Sequence, residues 1–218
     1  KGLNEIRYLH AVALFSEAVR RVLGDRNIHQ TVKDYLGGRP NAPQIEAARA
    51  LLRDRVDIQM LPSEGKTLAV GLAGFMKALA GAQAEVHAWN RPLAARDAQV
   101  VGAVLETFGM KVSVILKRTA YEFTPEAGSG VHPHLKPIKK GRFANPIEKA
   151  FRESALVYGP YSEMIFLWIS DWYGRKRFRY HKGDMPDWVF IEESDTPLLD
   201  LFHEPLAFFT QVYKLDEA

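Results

Sequence analysis

Residues 60–67, with the sequence Met-Leu-Pro-Ser-Glu-Gly-Lys-Thr, constrain this chain more than any other segment. In a phosphate-binding loop, backbone N–H groups wrap the phosphates, the lysine neutralises their charge, and the hydroxyl of the next residue reaches Mg²⁺. Lys66 and Thr67 stand at those two positions. The general pattern also asks for glycine five residues before Gly65, where this chain has Met60, so the segment alone also fits a glycine turn ahead of an ordinary helix. Nucleotide binding is the first hypothesis.

The residues on either side favour the phosphate-loop interpretation. Apolar residues recur at helical spacing over 68–80, Gly81 and Ala82 end that pattern, and residues 86–89 are typical of a short buried strand. With residues 56–60 as the candidate first strand, the order becomes strand, loop, helix, strand. Two parallel strands joined by a right-handed crossover helix are the context that a phosphate loop needs.

Composition excludes several classes of protein. A chain of 218 residues with 47% hydrophobic and 25% charged residues is typical of a soluble globular protein with a sizeable core. No apolar run approaches the roughly twenty residues of a membrane span, and no apolar signal-peptide core is visible at the start, so we expect a cytoplasmic location. The absence of cysteine excludes disulfides and thiolate zinc sites. A net charge of +3 permits anionic lipid, nucleic acid or acidic partners and selects none of them.

The rest of the chain predicts an alternation of helices and strands. Helical spacing or turn signals indicate helices at 6–23, 28–36, 44–52, 92–108, 146–153 and 161–172, and strands at 111–116, 156–158 and 188–191. Residues 124–145 are rich in Gly, Pro, His and Lys and predict a long loop. A loop of that length inside a compact domain is functional or mobile.

An acidic cluster, Glu192-Glu193-Ser194-Asp195, follows the last predicted strand. Enzymes with a phosphate loop commonly have such a pair, in which one carboxylate holds Mg²⁺ and the next polarises the attacking water. Glu192 is the candidate metal ligand and Glu193 the candidate catalytic carboxylate. Taken alone, the cluster also fits a charged turn after a strand. The phosphate loop upstream favours the functional interpretation.

Several motifs in a common order make the chain resemble a known family. Those motifs are the phosphate loop, Ala78-Leu79-Ala80-Gly81, Asn90 with Leu93-Ala94-Ala95-Arg96-Asp97-Ala98, Phe108-Gly109-Met110-Lys111-Val112, Val157-Tyr158-Gly159 with Glu163, and Ile191-Glu192-Glu193-Ser194-Asp195 with Pro205-Leu206. Over most of residues 39–206 the chain resembles the first nucleotide-binding, DEAD-like domain of SecA, the motor ATPase of bacterial protein export. That family has Met where the general loop pattern asks for Gly, and this chain has Met60 at the same position.

The resemblance implies a set of site residues. They are Arg39 and Gln44 for the adenine, Ser63, Glu64, Gly65, Lys66 and Thr67 for the phosphates, Arg96 near the phosphates, Thr67 and Glu192 for Mg²⁺, and Glu193 as the catalytic carboxylate. Two departures affect this set. Pro62-Ser63 replaces Thr-Gly in the loop, which removes a backbone donor and adds a Cβ. Glu192 replaces an Asp, and the extra methylene shifts a carboxylate by about the distance that can cost ~100-fold in rate.

The resemblance also bears on activity and partners. In SecA a second RecA-like domain supplies arginines to the transition state, and that domain does not fit into 218 residues. Because an arginine finger is worth roughly 10³ to 10⁵ in turnover, this stretch alone is expected to hydrolyse ATP slowly or not at all. The chain is then either a fragment of a longer motor or a short paralogue that works as a regulated binding module. Implied partners are the protein-export machinery or an unexported protein, at the cytoplasmic face of the inner membrane.

Two other features allow different interpretations. Lys136, Lys139, Lys140 and Arg142 form one basic stretch and residues 175–182 a second, which fit either an anionic membrane surface or nucleic acid or a solvated face. The segment His132-Pro133-His134 fits either a surface loop or the start of a metal site. Nucleic acid is the less favoured partner.

Together, these patterns predict an α/β protein with a parallel, RecA-like P-loop sheet, flanking helices and a helical N-terminal segment. We expect one domain, with residues 1–38 as a helical extension, 39–206 as the phosphate-loop core and 207–218 as a tail. The predicted function is ATP binding with Mg²⁺ and weak or partner-dependent hydrolysis. The alternatives are a nucleotide-independent module that docks on a membrane or protein, and a fragment of a nucleic-acid translocase.

Overall fold

The fold was analysed in a computed structural model, which describes residues 2–53, 56–60, 64–143, 145–172 and 186–192. Its helices are α1 (Gly2–Gly24), α2 (Gln30–Leu36), α3 (Ala42–Leu51), α4 (Lys66–Leu79), α5 (Arg91–Glu106), α6 (Pro146–Glu153) and α7 (Tyr161–Trp172). Its strands are β1 (Ala84–Ala88), β2 (Val112–Leu116), β3 (Thr119–Phe123), β4 (Leu135–Pro137), β5 (Leu156–Pro160) and β6 (Trp188–Ile191).

The six described strands form one sheet in the order β4-β3-β2-β5-β1-β6. The pairs β2–β5, β5–β1 and β1–β6 are parallel, whereas β3 and β4 add an antiparallel edge beside β2. Parallel strands need crossover helices, and α5, α6 and α7 lie between successive parallel strands in the sequence. The predicted α/β class with a mostly parallel, RecA-like sheet and flanking helices is confirmed.

Each face of the sheet is covered by its own set of helices. On one face, α1, α4 and α5 pack over the sheet, and Phe15, Phe75 and Val101 belong to the same buried cluster as Val86 and Leu156. On the other face, α6 and α7 bury Phe151 and Met164 against Val157 and Ile115. Strands buried on both faces read as continuous apolar runs, which is why β5 was visible in the sequence.

The candidate first strand at residues 56–60 was wrong. In the structure these residues carry no regular secondary structure, and Val56, Asp57 and Gln59 are exposed. A strand is stable only when a neighbour pairs with it, and none of the described strands pairs with residues 56–60. The phosphate loop therefore enters α4 from an irregular segment.

The hairpin of β2 and β3 was absent from the prediction. Lys117 and Arg118 form its two-residue turn, and both have positive φ, 50° and 61°. Two-residue hairpin turns of this kind usually carry Asn-Gly or Asp-Gly, so a Lys-Arg turn gives no sequence signal. The strand β4 was likewise missed because it lies inside residues 124–145, which composition had marked as a loop.

Candidate functional site

The phosphate loop turns into α4 at a glycine with left-handed backbone. Gly65 has φ 76° and ψ 45°, and Lys66 is the first residue of the helix. L-residues rarely adopt this conformation, and a Cβ at this position would overlap the Nε2 atom of Gln44. Glycine is therefore required here by both the backbone angle and the close approach of Gln44. Residues 61–63, and with them the predicted phosphate contact of Ser63, lie outside the described residues.

The N-terminus of α4 has no side-chain cap. Four other helices do have one, in which the side chain of His29, Asn41, Asn90 or Asn145 accepts a hydrogen bond from the first turn. The first N–H groups of any helix lack partners within that helix and carry the positive end of its dipole. In α4 they point to the end of the helix where Lys66 begins, so this terminus suits an anion.

Gln44 joins α3 to the phosphate loop. Its Oε1 accepts from the backbone N–H of Asn41 at 3.0 Å and its Nε2 donates to the carbonyl of Glu64 at 2.8 Å. The side chain is buried, so both hydrogen bonds are shielded from water. Gln44 thus lies at the predicted nucleotide site, with its amide engaged by the loop itself. Arg39, its predicted neighbour at the adenine, is exposed.

Arg96, Asp97 and Thr67 form a hydrogen-bonded group between α4 and α5. The Arg96 Nε donates to Asp97 Oδ1 at 2.7 Å, and the Thr67 hydroxyl donates to the same oxygen at 3.1 Å. Burial opposes the charge on Arg96, but the hydrogen bond and charge of Asp97, with the charge of Glu192, outweigh it and raise the pKa of Arg96. The structure therefore brings two predicted phosphate residues together around a carboxylate.

Asp97 belongs to one of the family motifs, but the sequence predicted no function for it. In the structure Asp97 is fully buried, and its Oδ2 has no hydrogen-bond partner among the described residues. A signal was present, since Asp97 stands in a run of small and apolar residues, Ala94, Ala95, Ala98 and Val100, that reads as the buried face of a helix. A carboxylate is almost never fully buried unless it is paired, as Asp97 is with Arg96.

Glu192 follows β6 and takes part in the same electrostatic group. Its backbone N–H donates to the carbonyl of His87 at 2.9 Å, which fixes the chain at the end of the strand. Tyr158 of β5 is fully buried, and this burial, followed by the charges of Glu192 and Asp97, raises its pKa well above the usual value. Glu193, the predicted catalytic carboxylate, lies outside the described residues.

The segments that follow β1 and β5 contact each other through the starts of α5 and α7. Arg91 Nε donates to Glu163 Oε1 in an ion pair, and the rings of Trp89 and Tyr161 stack with centroids 5.6 Å apart. Because parallel strands end at the same edge of a sheet, these contacts, Arg96 and Glu192 all lie at the carboxyl edge. Ligands of open α/β sheets bind at that edge.

The histidine segment and the described basic stretch are not part of this hydrogen-bonded group. His134 is fully buried, which corrects the expectation of a surface loop, because its Nε2 accepts from the backbone N–H of His29 at 2.9 Å and its Nδ1 lies 2.9 Å from the carbonyl of Thr124. Both ring nitrogens are therefore used for packing the loop. Of the first basic stretch, Lys136 pairs with Glu126 at 3.0 Å. Residues 175–182 lie outside the described residues.

In the described part of the chain, no helix combines the length and apolarity needed to cross a bilayer.

Comparison with known proteins gives one family. A model of the SecA DEAD-like domain matches residues 2–214. The protein translocase subunit SecA 1 of Corynebacterium glutamicum is 28% identical over 206 residues, covering 91% of this chain and 20% of that protein. SecA 2 of Bacillus thuringiensis is 29% identical over 206 residues, with 91% and 21% covered, and SecA of Frankia casuarinae is 28% identical over 196 residues, with 87% and 16% covered. The chain spans about a fifth of the length of these relatives.

Proposed function

Because the chain belongs to the SecA DEAD-like domain family, we propose that it binds ATP with Mg²⁺ as a SecA-type motor domain. The observation that carries this proposal is the left-handed Gly65 leading into the uncapped N-terminus of α4, with Lys66 as its first residue. Four other helices close their first turn with a side chain, whereas α4 leaves that turn to an anion. A phosphate group supplies such an anion.

The described residues fit a nucleotide bound with its metal. Lys66, Arg96 and the first N–H groups of α4 would hold the phosphates, while Thr67 and Glu192 would hold Mg²⁺. When bound there, the cation would supply positive charge against the negative charge that develops during hydrolysis. Gln44 and Arg39 would contact the adenine, Ser63 and Glu64 would complete the loop, and Glu193 would orient the attacking water.

Gln44 can contact the adenine without losing its present hydrogen bonds. Its Nε2 carries two hydrogens and donates one of them to Glu64 O, so the second is left for an acceptor nitrogen of the base. The helix cap of α3, made by Asn41 and the Gln44 Oε1, can stay as well. Gln44 would then link the base to the loop.

We further propose that hydrolysis is weak or depends on a partner. Glu192 stands where the family has Asp, and a carboxylate moved by one methylene is misplaced by enough to cost ~100-fold in rate. Arginines delivered from another domain or protein would supply a further roughly 10³ to 10⁵. Proteins of the export machinery, or an unexported protein, at the cytoplasmic face of the inner membrane are the partners that this proposal favours.

The test is calorimetric titration with ATP and with ADP, each with Mg²⁺ and with EDTA. Wild type is compared with Lys66→Ala, which removes the cation at the helix start, and with Lys149→Ala, which removes a lysine from α6 on the opposite face of the sheet. We expect micromolar binding to wild type and Lys149→Ala and none to Lys66→Ala. Equal affinity in all three proteins would contradict a site at the phosphate loop.

The same titration separates the alternatives. A wild-type protein that binds no nucleotide, yet still docks on a protein or membrane partner, is an interaction module with a silent site. A translocase acting on nucleic acid would instead bind single strands with an affinity that falls steeply with salt concentration.

A further inference from the structure

Two fully buried polar atoms beneath the start of α4 have no hydrogen-bond partner among the described residues. They are Oδ2 of Asp97 and the hydroxyl of Tyr158, both on residues with no solvent exposure. Buried polar groups are nearly always paired, because an unpaired one loses its contacts with water and gains none in return. Two such unpaired atoms within one electrostatic group indicate that the group binds a ligand.

The hydrogen bonds of Asp97 leave one oxygen free for that ligand. Oδ1 already accepts from the Thr67 hydroxyl at 3.1 Å and from Arg96 Nε at 2.7 Å. The single proton of the Thr67 hydroxyl is thereby committed to Asp97, so the lone pairs of the same hydroxyl oxygen are available to a cation. Asp97 thus offers Oδ2 and orients a second oxygen ligand at the same time.

Tyr158 reaches the group from the sheet. In β5 it pairs with Val86 of β1 and Val114 of β2, and its side chain belongs to the core that α4 and α5 cover. The charges of Glu192 and Asp97 both act on this side chain, so its hydroxyl belongs to the same electrostatic group. A neutral hydroxyl near two carboxylates acts as a hydrogen-bond donor, either to a carboxylate oxygen or to water held by a cation.

The charges of the group also favour a divalent cation. Asp97 and Glu192 contribute two negative charges, and Arg96 is the cation that acts on both of them. Arg96 is about a third exposed, whereas Asp97 is fully enclosed. If Arg96 turns toward a bound phosphate, as the proposed function implies, the buried carboxylate loses its counter-charge. Carboxylate, hydroxyl and phosphate oxygens are the ligands that Mg²⁺ and Mn²⁺ take.

We propose that Asp97 is a ligand of the nucleotide-associated divalent cation, through Oδ2, together with Thr67 and Glu192, and that the Tyr158 hydroxyl is a positioning residue for that shell. This inference rests on the proposed function and extends it, because the metal ligands implied by the family resemblance were Thr67 and Glu192 alone. It also explains how the site keeps its cation although Glu192 replaces Asp. The carboxylate of Glu192 is displaced by one methylene, and Asp97 of α5 supplies a second carboxylate.

The test is direct binding of Mn²⁺, followed by electron paramagnetic resonance of the free ion, with and without ADP. Asp97→Asn keeps the shape of the side chain and its acceptor oxygen but removes the charge. Tyr158→Phe removes only the hydroxyl. Glu106→Gln, roughly 13 Å further along the axis of α5, is the matched loss of a carboxylate at the far end of the same helix. Calorimetry with ADP in EDTA measures nucleotide affinity separately.

We expect one tightly bound Mn²⁺ in wild type with ADP, weakened about 10- to 100-fold in Asp97→Asn and by a smaller factor in Tyr158→Phe. Glu106→Gln should match wild type. Nucleotide affinity in EDTA should be the same in Tyr158→Phe as in wild type, which a collapse of the fold would not allow.

The outcomes separate this inference from the function on which it rests. Wild-type Mn²⁺ affinity in both Asp97→Asn and Tyr158→Phe, with ADP binding intact, would overturn the inference and leave ATP binding standing. If wild type binds no ADP, the proposed function fails, and the inference, which rests on it, fails with it. If Asp97→Asn does not fold, Tyr158→Phe decides.

Discussion

Asp97 and Tyr158 each carry a buried oxygen without a partner among the described residues, which lowers the stability of the fold. A buried hydroxyl or carboxylate oxygen without a partner costs about 1–3 kcal/mol relative to a paired one. Apolar side chains at these positions would avoid that cost, and the neighbouring core residues Ala94 and Ala98 are apolar. Retention of unpaired polar atoms at one place in an otherwise apolar layer is typical of residues that serve a ligand rather than the fold.

Tyr158→Phe is therefore expected to stabilise the protein. The substitution keeps the buried ring and removes an unpaired hydroxyl, so the free energy of unfolding should rise by about 1 kcal/mol. Urea denaturation in EDTA measures the change, and Tyr121→Phe on the half-buried strand β3 is the control, with an expected change near zero. A loss of stability in Tyr158→Phe would mean that the hydroxyl has a structural partner, which would leave Asp97 Oδ2 as the single unpaired atom behind the proposed cation site.

Gly65→Ala is expected to damage the loop twice. Alanine at φ 76° costs about 1–2 kcal/mol, and its Cβ would displace the Gln44 amide and break the bond to Glu64 O. Gly109→Ala is the matched control, because Gly109 also has positive φ, 68°, and a Cβ there would meet nothing within 4 Å. Urea denaturation should show a larger loss for Gly65→Ala, and calorimetry should show weaker ADP binding in that variant alone.

The excess loss can be assigned by adding Gln44→Ala. In a double-mutant cycle, removal of the Gln44 side chain should make Gly65→Ala cost about as much as Gly109→Ala. An unchanged excess would show that the contact with Gln44 is not the reason for glycine at this position.

At the scale of elements, the sequence was most informative where a side chain caps a helix or a strand is buried. The bounds of α6, α7 and β6 agree with the prediction. Asn145 and Pro146 predict the start of α6, and runs of apolar residues predict α7 and β6. No residue pattern indicated the Lys117-Arg118 turn. The apolar residues at 56–60 predicted a strand, but none of the described strands pairs with them. Strand pairing depends on the whole sheet and cannot be predicted from one segment.

The short helix α2 links the loop that contains His134 to the candidate site. At its N-terminus the backbone of His29 donates to His134 Nε2, and near its C-terminus the ring of Tyr35 lies 5.0 Å from the guanidinium carbon of Arg96. Because α2 has only seven residues, a shift at one end moves the other. The neutral form of His134 is needed for this link, since only an unprotonated Nε2 accepts from an N–H.

His134 should therefore make stability depend on pH. Burial lowers the pKa of His134, with opposing contributions from the Thr124 carbonyl and Asp25 and a further lowering by His29. The unfolded chain, with a histidine pKa of about 6.5, then binds more protons than the folded one, so stability is full above that value and falls as pH drops below it. The slope for one group reaches at most about 1.4 kcal/mol per pH unit.

Urea denaturation between pH 7.5 and 5 measures this slope. His134→Gln retains a donor for Thr124 and an acceptor for His29 but does not titrate, so its slope should be shallower than that of wild type. His10→Gln on the exposed side of α1 is the control and should leave the slope unchanged. Burial also lowers the pKa of His132. Because His132 is present in every variant, its contribution to the slope is the same in all of them. Equal slopes in wild type and His134→Gln would contradict a neutral, buried His134.

At the scale of the whole molecule, the candidate site is assembled from elements far apart in sequence. Gln44 comes from α3, Lys66 and Thr67 from α4, Asp97 from α5, and Glu192 from the end of β6. Motifs located the loop and the acidic cluster, since each is a local pattern. The burial of Asp97 and the approach of Tyr158 depend on how α4 and α5 lie over the sheet, so they appeared only in three dimensions.

Because these elements meet only in the folded chain, nucleotide binding should stabilise the whole molecule. A ligand that binds the folded state alone, at 100 times its Kd, raises the free energy of unfolding by about 2.7 kcal/mol. For a domain of this size that corresponds to a rise in Tm of roughly 5–10 °C. Thermal denaturation with MgADP should show this rise in wild type and Lys149→Ala, a smaller one with ADP in EDTA, and none in Lys66→Ala. A rise of the same size in Lys66→Ala would mean that the nucleotide binds away from α4. Among the five helices whose N-terminal caps the structure describes, α4 is the one without a side-chain cap, so no second start of this kind is available.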